Sequence, residues 1–515
     1  MSSNEEKNSM VEAKASISYS TDQAGTGGEG SLLAMTPEEE KKLVWKIDLH
    51  LMPLMFILYL LQYLDKTSLG YTAIMGIITD TLLLRGISCS EPSVFAPAGQ
   101  VLGGKSCGVN GVRVPLGTTP HRIRNFGMLI WLASYRLIWA GIQMAMAAGH
   151  DFGSLSALRI LLGAFEAAIN PGFTIITSMW YKPSEHALRH GLWYGGASVA
   201  YVFGGILAYA MSHINSSIKS WQFLFLIFGA ATFIWGLVIW WLLPNNPQTA
   251  WFLNEKERKL AFARVQGARH STETRKWDNE QMKEAMVDPR SWLFFLLCVF
   301  TTLPGGGLTA FGSVVLKSFG YSTLQAQLLT MSQGGFLLFF VILTVVVSIS
   351  FKNARCVSIA LLNLISLAGA LMVKLLPESE KLSRLGGLWL ISAYASAFPT
   401  ILSLVSSNIT GHTKKATVSG LLFVGFCTGY IIGPLTFLPH EAPGYKTAFN
   451  IMIACFVLNI TIVLAMRQLM AFWNKKRDRE FGTEVHSAGL AVEEVVSQGV
   501  ADETDWKNKH IRYSL

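Results

Sequence analysis

Two charged side chains interrupt an apolar stretch of the chain between residues 153 and 177. Arg159 and Glu166 are seven residues apart in this stretch, so in a helix they lie on the same face. An ionisable side chain inside a long apolar helix is costly in lipid and usually marks an ion pathway, a proton relay or a ligand site. We therefore predict that both residues line a substrate or proton pathway. The alternative is a structural Arg–Glu pair that braces neighbouring helices.

A second group of candidates lies at the ends of other apolar stretches. Asp65 and Lys66 follow the first one, but another mildly apolar run, residues 69–78, comes directly after them. They are therefore either interfacial charges or pathway residues within the protein. Asn408 and His412 form a further polar group, and a histidine can titrate near neutral pH. A solvated loop histidine is the alternative there.

The stretches that carry these residues are long enough to cross a membrane. The chain has 515 residues, of which 51% are hydrophobic and only 15% are charged, whereas soluble proteins carry about 25% charged residues. A membrane helix needs about 20 mainly apolar residues. The composition therefore predicts an all-α, polytopic membrane protein. The candidate spans are residues 47–64, 126–148, 153–177, 189–211, 221–243, 291–316, 326–350, 355–376, 386–408, 416–437 and 447–471.

Basic residues predict the orientation of these spans. They concentrate in the central loop and after the last span, which the positive-inside rule places in the cytosol. We expect a disordered cytosolic tail over residues 1–45 and a second cytosolic tail over 474–515. The central loop, 244–290, then separates two transmembrane halves, 46–243 and 291–473. The net charge of +9 follows from this topology, so nucleic acid is not an expected partner.

The two halves share a pattern of glycines. At one constant offset, Gly196 corresponds to Gly425 and Gly204 to Gly433, which favours two parallel repeats, as in many secondary transporters. Gly429 completes a run of glycines at a spacing of four, which allows helices to approach closely. We predict that these five residues pack helices together. In a transporter the same glycine face would also let helices slide or rock.

The remaining motifs are few. Asn215 begins a glycosylation sequon in a loop predicted to face outside. The sequence contains no HExxH motif of metal-dependent hydrolases, and its six cysteines include no close CxxC pair. We therefore expect no enzyme activity, no metal and no cofactor.

Taken together, the motifs resemble the major facilitator superfamily and, within it, the fungal allantoate permease family of anion:cation symporters. This resemblance implies a twelve-helix bundle of two six-helix halves. It also implies a plasma-membrane monomer that takes up a small organic anion, such as allantoate, a vitamin-like carboxylate or a sugar acid, with protons by alternating access. The matching segments are Asp48–Pro53, Leu64–Tyr71, Arg159–Ala167, Thr177–Tyr181, Leu243–Pro247, Asp288–Trp292, Asn408–Thr417 and Gly429–Pro434.

Residues 82–125 depart from the family pattern. The family has its second transmembrane helix there, whereas this stretch contains prolines and charges that are costly in lipid. Residues 111–124 can be encoded so that the neighbouring frame reads a Glu-Tyr-Pro-type motif close to the one expected. We hypothesise a reading-frame or splice error, or a decayed gene, which transcript sequencing tests. A smaller departure is Tyr430, where the family often has a smaller, polar residue.

Three alternative functions use the same features. An efflux carrier for a secondary metabolite has the same fold, since sequence does not set the direction of transport. A nutrient receptor on this scaffold would signal without transport, and long structured cytosolic domains would favour it. A membrane-embedded enzyme is disfavoured because no catalytic constellation is present. The expected partners of the transporter are the lipid bilayer, a small organic anion and protons.

Overall fold

The computed structural model describes most of the chain and contains only helices and loops in that part. It describes residues 36–75, 77, 128–166, 169–214, 218–244, 246–267, 277–351, 353–442, 444–481, 504–508 and 511–515. Nine helices among these residues are long and apolar enough to cross a membrane. The predicted all-α, polytopic architecture is therefore confirmed. The atypical stretch 82–125 lies outside the described residues.

The helices follow the predicted spans closely. Predicted spans 126–148 and 153–177 correspond to α2 and to α3 with α4, and the other nine predicted spans correspond to the nine membrane-length helices. Two shorter helices, α7 and α8, occupy the central loop. The helices are α1 Pro37–Ile74, α2 Met128–Ala145, α3 Phe152–Glu166, α4 Ile169–Trp180, α5 His186–Ser212, α6 Ser220–Leu242, α7 Glu255–Gly267, α8 Asn279–Val287, α9 Pro289–Ser318, α10 Thr323–Ser350, α11 Arg355–Leu375, α12 Lys381–Ile391, α13 Ala397–Asn408, α14 His412–Leu435 and α15 Lys446–Phe481.

Helix α1 is longer at both ends than the span predicted for it. It begins at a capping box, in which the Thr36 hydroxyl accepts a hydrogen bond from the Glu39 amide at 3.3 Å and the Glu39 carboxylate accepts one from the Thr36 amide at 3.0 Å. Pro37 occupies the first turn, where no amide donor is needed. The helix then continues to Ile74 because apolar residues follow its charged pair. Asp65 and Lys66 therefore lie inside the helix, where Asp65 is fully buried.

Glycines mark the places where helices touch. A methyl group added to Gly196 of α5 would lie 2.6 Å from the Phe56 carbonyl oxygen of α1, and one on Gly425 of α14 would lie 2.7 Å from the Phe295 carbonyl oxygen of α9. Gly429 and Gly433 meet the α9 backbone more closely still. Between the halves, α5 packs on α10 and α1 on α9. Any side chain at these glycines would push the helices apart.

The end of the chain returns to the helical bundle. Residues 504–508 and 511–515 pack against the ends of α9, α13, α14 and α15. The Ser514 amide and carbonyl bond the side chain of Asn408, and the Tyr513 amide donates to Asn474 at 2.9 Å. The last residues thus tie together helix ends that are distant in sequence.

Candidate functional site

Four of the predicted pathway residues meet between α1 and α3. The Lys66 ammonium lies 3.1 Å from the Glu166 carboxylate. The Arg159 guanidinium lies 3.8 Å from the carboxylate of Asp65. Each of the four side chains is at most 10% exposed. We call Asp65, Lys66, Arg159 and Glu166 the intramembrane cluster.

The ion pairs in the intramembrane cluster differ from the Arg159–Glu166 pair that the sequence suggested as an alternative. Arg159 and Glu166 share a helix, yet each forms its ion pair with a residue of α1. Glu166 also accepts a hydrogen bond from the Gln62 amide at 3.0 Å. Asp65 is less well satisfied, because its carboxylate oxygens accept no hydrogen bond of ordinary geometry from the described residues. The two acids of the cluster are therefore held with unequal strength.

Arg136 of α2 belongs to the same region, and sequence reasoning missed it. Its side chain is 1% exposed, and none of its guanidinium nitrogens has a hydrogen-bond partner in the part of the chain that the structure describes. The guanidinium lies 5.5 Å from the ring of Trp139, and the charge of Glu166 acts on it. The signal was present, since Arg136 is the one charged residue within the predicted span 126–148.

The opposite half presents aromatic rings to the cluster. The Lys66 ammonium lies 5.1 Å from the ring centre of Phe426 and 5.3 Å from that of Tyr430, within the range of a cation–π interaction. Both rings belong to α14. Lys66 therefore lies between an acid of the first half and aromatic faces of the second.

Comparison with known proteins assigns the family. The family model described as Major Facilitator Superfamily matches residues 115–434. The chain belongs to the major facilitator superfamily. It is 31% identical over 501 residues to the allantoate permease of Saccharomyces cerevisiae, covering 95% of this chain and 89% of that protein. It is 32% identical to an uncharacterised transporter of Schizosaccharomyces pombe, over 93% of this chain and 88% of that one.

A solved structure supports the same fold. The proton:xylose symporter XylE, bound to 6-bromo-6-deoxy-D-glucose, matches with a TM-score of 0.60 at 15% identity. The match covers 89% of this chain and 99% of XylE. The resemblance seen in the sequence motifs is thus confirmed, and the chain is a multi-pass membrane transporter of this superfamily.

The other two predicted pathway residues of this superfamily member lie elsewhere. His412 begins α14, and Asn408 ends α13, where its side chain bonds Ser514 at 2.7 and 2.9 Å. Beside Asn408 lies a second group of buried charges, Asp288, Arg290, Lys414 and Asp505, which we call the tail cluster. The Lys414 ammonium lies 3.1 Å from Asp288 and 2.9 Å from Asp505. Arg290 pairs with both acids.

Electrostatics keep Asp505 ionised in the tail cluster. Burial alone would raise the pKa of its carboxyl group, but the charges of Arg290 and Lys414 and their hydrogen bonds hold that pKa below its usual value. The Tyr513 hydroxyl donates a further hydrogen bond to Asp505 at 2.8 Å. Lys414 also pairs with Glu284 at 2.7 Å, so each base of the tail cluster has at least two acids within ion-pair distance.

Some predicted features cannot be placed. Asn215 and its sequon lie outside the described residues. Residues 99–108 also lie outside the described residues; they contain matches to GxxxxGK[ST] at 99–106 and to GxSxG at 104–108 that were not among the predicted features. Within the described ranges, no group of three or more His, Cys, Asp or Glu side chains could hold a metal ion.

Proposed function

We propose that this transporter carries a small organic anion together with a proton, in the direction of uptake, and that Lys66 and Glu166 couple the two. The observation that carries the proposal is the buried Lys66–Glu166 ion pair, 3.1 Å long, which faces the second half of the protein. Relatives named allantoate permease and thiamine pathway transporter, both of Saccharomyces cerevisiae, support transport of small nutrients.

Competition for Lys66 provides the coupling. While Glu166 is ionised, it neutralises Lys66 and leaves little attraction for a second anion. Protonation of Glu166 frees the ammonium group, which then binds the carboxylate of the substrate. A bound anion in turn favours the protonated form of Glu166. When the anion leaves, the ion pair re-forms and the proton is released, so proton and anion travel together.

The contact between Lys66 and the second half links binding to rocking of the halves. Lys66 belongs to α1, whereas Phe426 and Tyr430 belong to α14. Rocking of the two halves around a central site is the general mechanism of such repeats. An anion bound at Lys66 would replace the lost aromatic contact when the halves separate.

The proposal also includes three general properties of the carrier. Microscopy of a fluorescent fusion would test its location in the plasma membrane, and light scattering would test whether it is a monomer. A loss of mass in the Asn215→Gln variant would test for a glycan on Asn215.

The test compares Glu166→Gln with Glu480→Gln, which alters an exposed acid at the end of α15. Both proteins are reconstituted in liposomes and given a panel of radiolabelled carboxylates, with and without a proton gradient. We expect Glu166→Gln to retain exchange of bound anion but to lose accumulation against a gradient, while Glu480→Gln keeps both. Normal, gradient-driven accumulation by Glu166→Gln would refute the proposal. Loss of expression and thermal stability with no change in coupling would favour a purely structural ion pair.

A further inference from the structure

The wall that faces Lys66 is built from aromatic rings with hydroxyl groups at their edges. Tyr63 of α1 and Tyr201 of α5 have ring centres 5.5 Å apart, and Phe426 and Tyr430 of α14 are stacked at 4.7 Å. Tyr394 lies between α12 and α13. We call these five residues, all buried, the aromatic wall.

The hydroxyl groups of the wall converge on one place. The Tyr63 hydroxyl lies near those of Tyr201 and Tyr430. A methyl group built on Gly305 of α9 would lie 3.1 Å from the Tyr394 hydroxyl and 3.6 Å from the Tyr430 hydroxyl. Gly305 therefore makes room for these two hydroxyls. The wall combines ring faces beside Lys66 with donor hydroxyls further along it.

In the second half, the segments that carry Tyr394, Phe426 and Tyr430, together with α9 beside them, contain no carboxylate or amide side chain. Helix α9, the segment 381–407 and helix α14 contain no Asp, Glu, Asn or Gln. A ureide such as allantoate carries many N–H donors, and burial leaves each one costly unless an acceptor is close. A sugar acid presents many hydroxyls, of which only a few could bond the tyrosine hydroxyls of the wall, so the rest would be buried against ring faces. An aromatic ring suits these faces, since offset and edge-to-face ring pairs are favourable beyond area burial alone.

We propose that the substrate is an aromatic monocarboxylate, whose carboxylate binds Lys66 and whose ring lies against Phe426 and Tyr430. This inference rests on the proposed function, because it assumes that the anion binds at Lys66. It assigns a specific role to Tyr430, the residue at which the sequence departs from the family pattern. A smaller polar residue there would remove one ring face and leave Lys66 in place.

The experiment measures binding, because aromatic acids cross lipid unaided in their neutral form and would obscure uptake. Purified full-length protein in lipid nanodiscs is titrated with radiolabelled benzoate, cyclohexanecarboxylate and allantoate. Benzoate and cyclohexanecarboxylate have the same carbon skeleton and charge, but the ring of benzoate is planar and aromatic whereas that of cyclohexanecarboxylate is saturated and puckered. We expect benzoate to bind about tenfold more tightly than its saturated analogue, the ratio that a single good ring pair provides.

Three variants locate the effect. Tyr430→Asn and Phe426→Leu should each bring the ratio of the two affinities towards one with little change for cyclohexanecarboxylate. Tyr209→Asn, which alters a tyrosine at the far end of α5 whose ring centre lies 4.6 Å from that of His213, should leave the ratio unchanged. Two variants of the wall are used so that misfolding of one does not end the test.

The outcomes separate the two proposals. Equal binding of benzoate and cyclohexanecarboxylate, or tighter binding of allantoate, would overturn the aromatic inference while the anion site stands. A ratio that survives both Tyr430→Asn and Phe426→Leu would also overturn it. If none of the three anions binds, or if Lys66→Gln leaves their binding unchanged, the failure lies with the proposed function itself.

Discussion

Asp65 and Asp505 are both fully buried carboxylates that face basic side chains, yet their surroundings differ. Asp505 lies 2.9 Å from Lys414, pairs with Arg290 and accepts a hydrogen bond from Tyr513. Asp65 has Arg159 at 3.8 Å and no ordinary hydrogen bond from the described residues. A buried charge network stabilises a protein only when its members are well paired. The tail cluster meets that condition and the intramembrane cluster does not.

The difference separates a structural network from a functional one. In and around the intramembrane cluster, Lys66, Arg136 and Arg159 carry three positive charges. Asp65 and Glu166 carry two negative charges, so one positive charge is in excess. An excess buried positive charge lowers the stability of the protein when no anion is bound, and it attracts an anion that enters the site. In the tail cluster, Asp288, Asp505 and the neighbouring Glu284 outnumber the two bases, which leaves no cation free to bind an anion. Removing a charged side chain should therefore destabilise the protein in the tail cluster, whereas removing the excess cation near the intramembrane cluster should stabilise it.

The largest effect is expected in the tail cluster. Asp505→Ala leaves Arg290 and Lys414 buried with an acid fewer, and breaking one partner of a buried pair costs about 3–5 kcal/mol. Thermal unfolding of the purified protein in detergent should therefore show a marked loss of stability. Lys507→Ala, an exposed change in the same segment, is the control. Equal stability of the two variants would show that the tail does not brace the bundle.

Arg136 should respond in the opposite sense. Arg136→Met removes a buried charge that lacks hydrogen bonds, so we expect the free energy of unfolding to rise by about 1–3 kcal/mol while carboxylate binding weakens. Arg189→Met is the matched control, because the Arg189 guanidinium bonds Asp48 at 2.7 and 3.2 Å, and its loss should destabilise. A less stable Arg136→Met protein with unchanged anion binding would contradict the contrast between the clusters.

A smaller effect is expected at Asn408. Its side chain makes two hydrogen bonds with Ser514, each worth about 1 kcal/mol, so Asn408→Ala should lower stability by about 1–2 kcal/mol. Transport per folded molecule should not change, because Asn408 bonds the tail and has no contact with Lys66 or Glu166 among the bonds described. If Asn408→Ala changed the affinity for the transported anion, Asn408 would be a residue of the transport pathway.

The sequence predicted the intramembrane residues because charges stand out against an apolar background. Asp65, Lys66, Arg159 and Glu166 were all visible for this reason, and Arg136 would have been under the same rule. The pairing was not predictable, since helical spacing favoured Arg159 with Glu166 whereas packing of α3 on α1 pairs each with another residue. Asp505 was missed because an acid in a polar tail is unremarkable, and its partner Arg290 is 215 residues away.

Acidification gives the smallest expected effect and the last test of the comparison. Because the pKa of Asp505 is lowered in the folded protein, this group stabilises the docked tail above its ordinary pKa of about 3.9, and the stabilisation is lost only as pH falls through the lower, folded value. Between about pH 7 and pH 5, the amides of Tyr513 and Ser514 should therefore keep constant protection from hydrogen exchange after correction for intrinsic rates. Loss of amide protection in that range would mean that burial outweighs the two cations around Asp505, and the tail would then be a pH-sensitive element in place of a fixed brace.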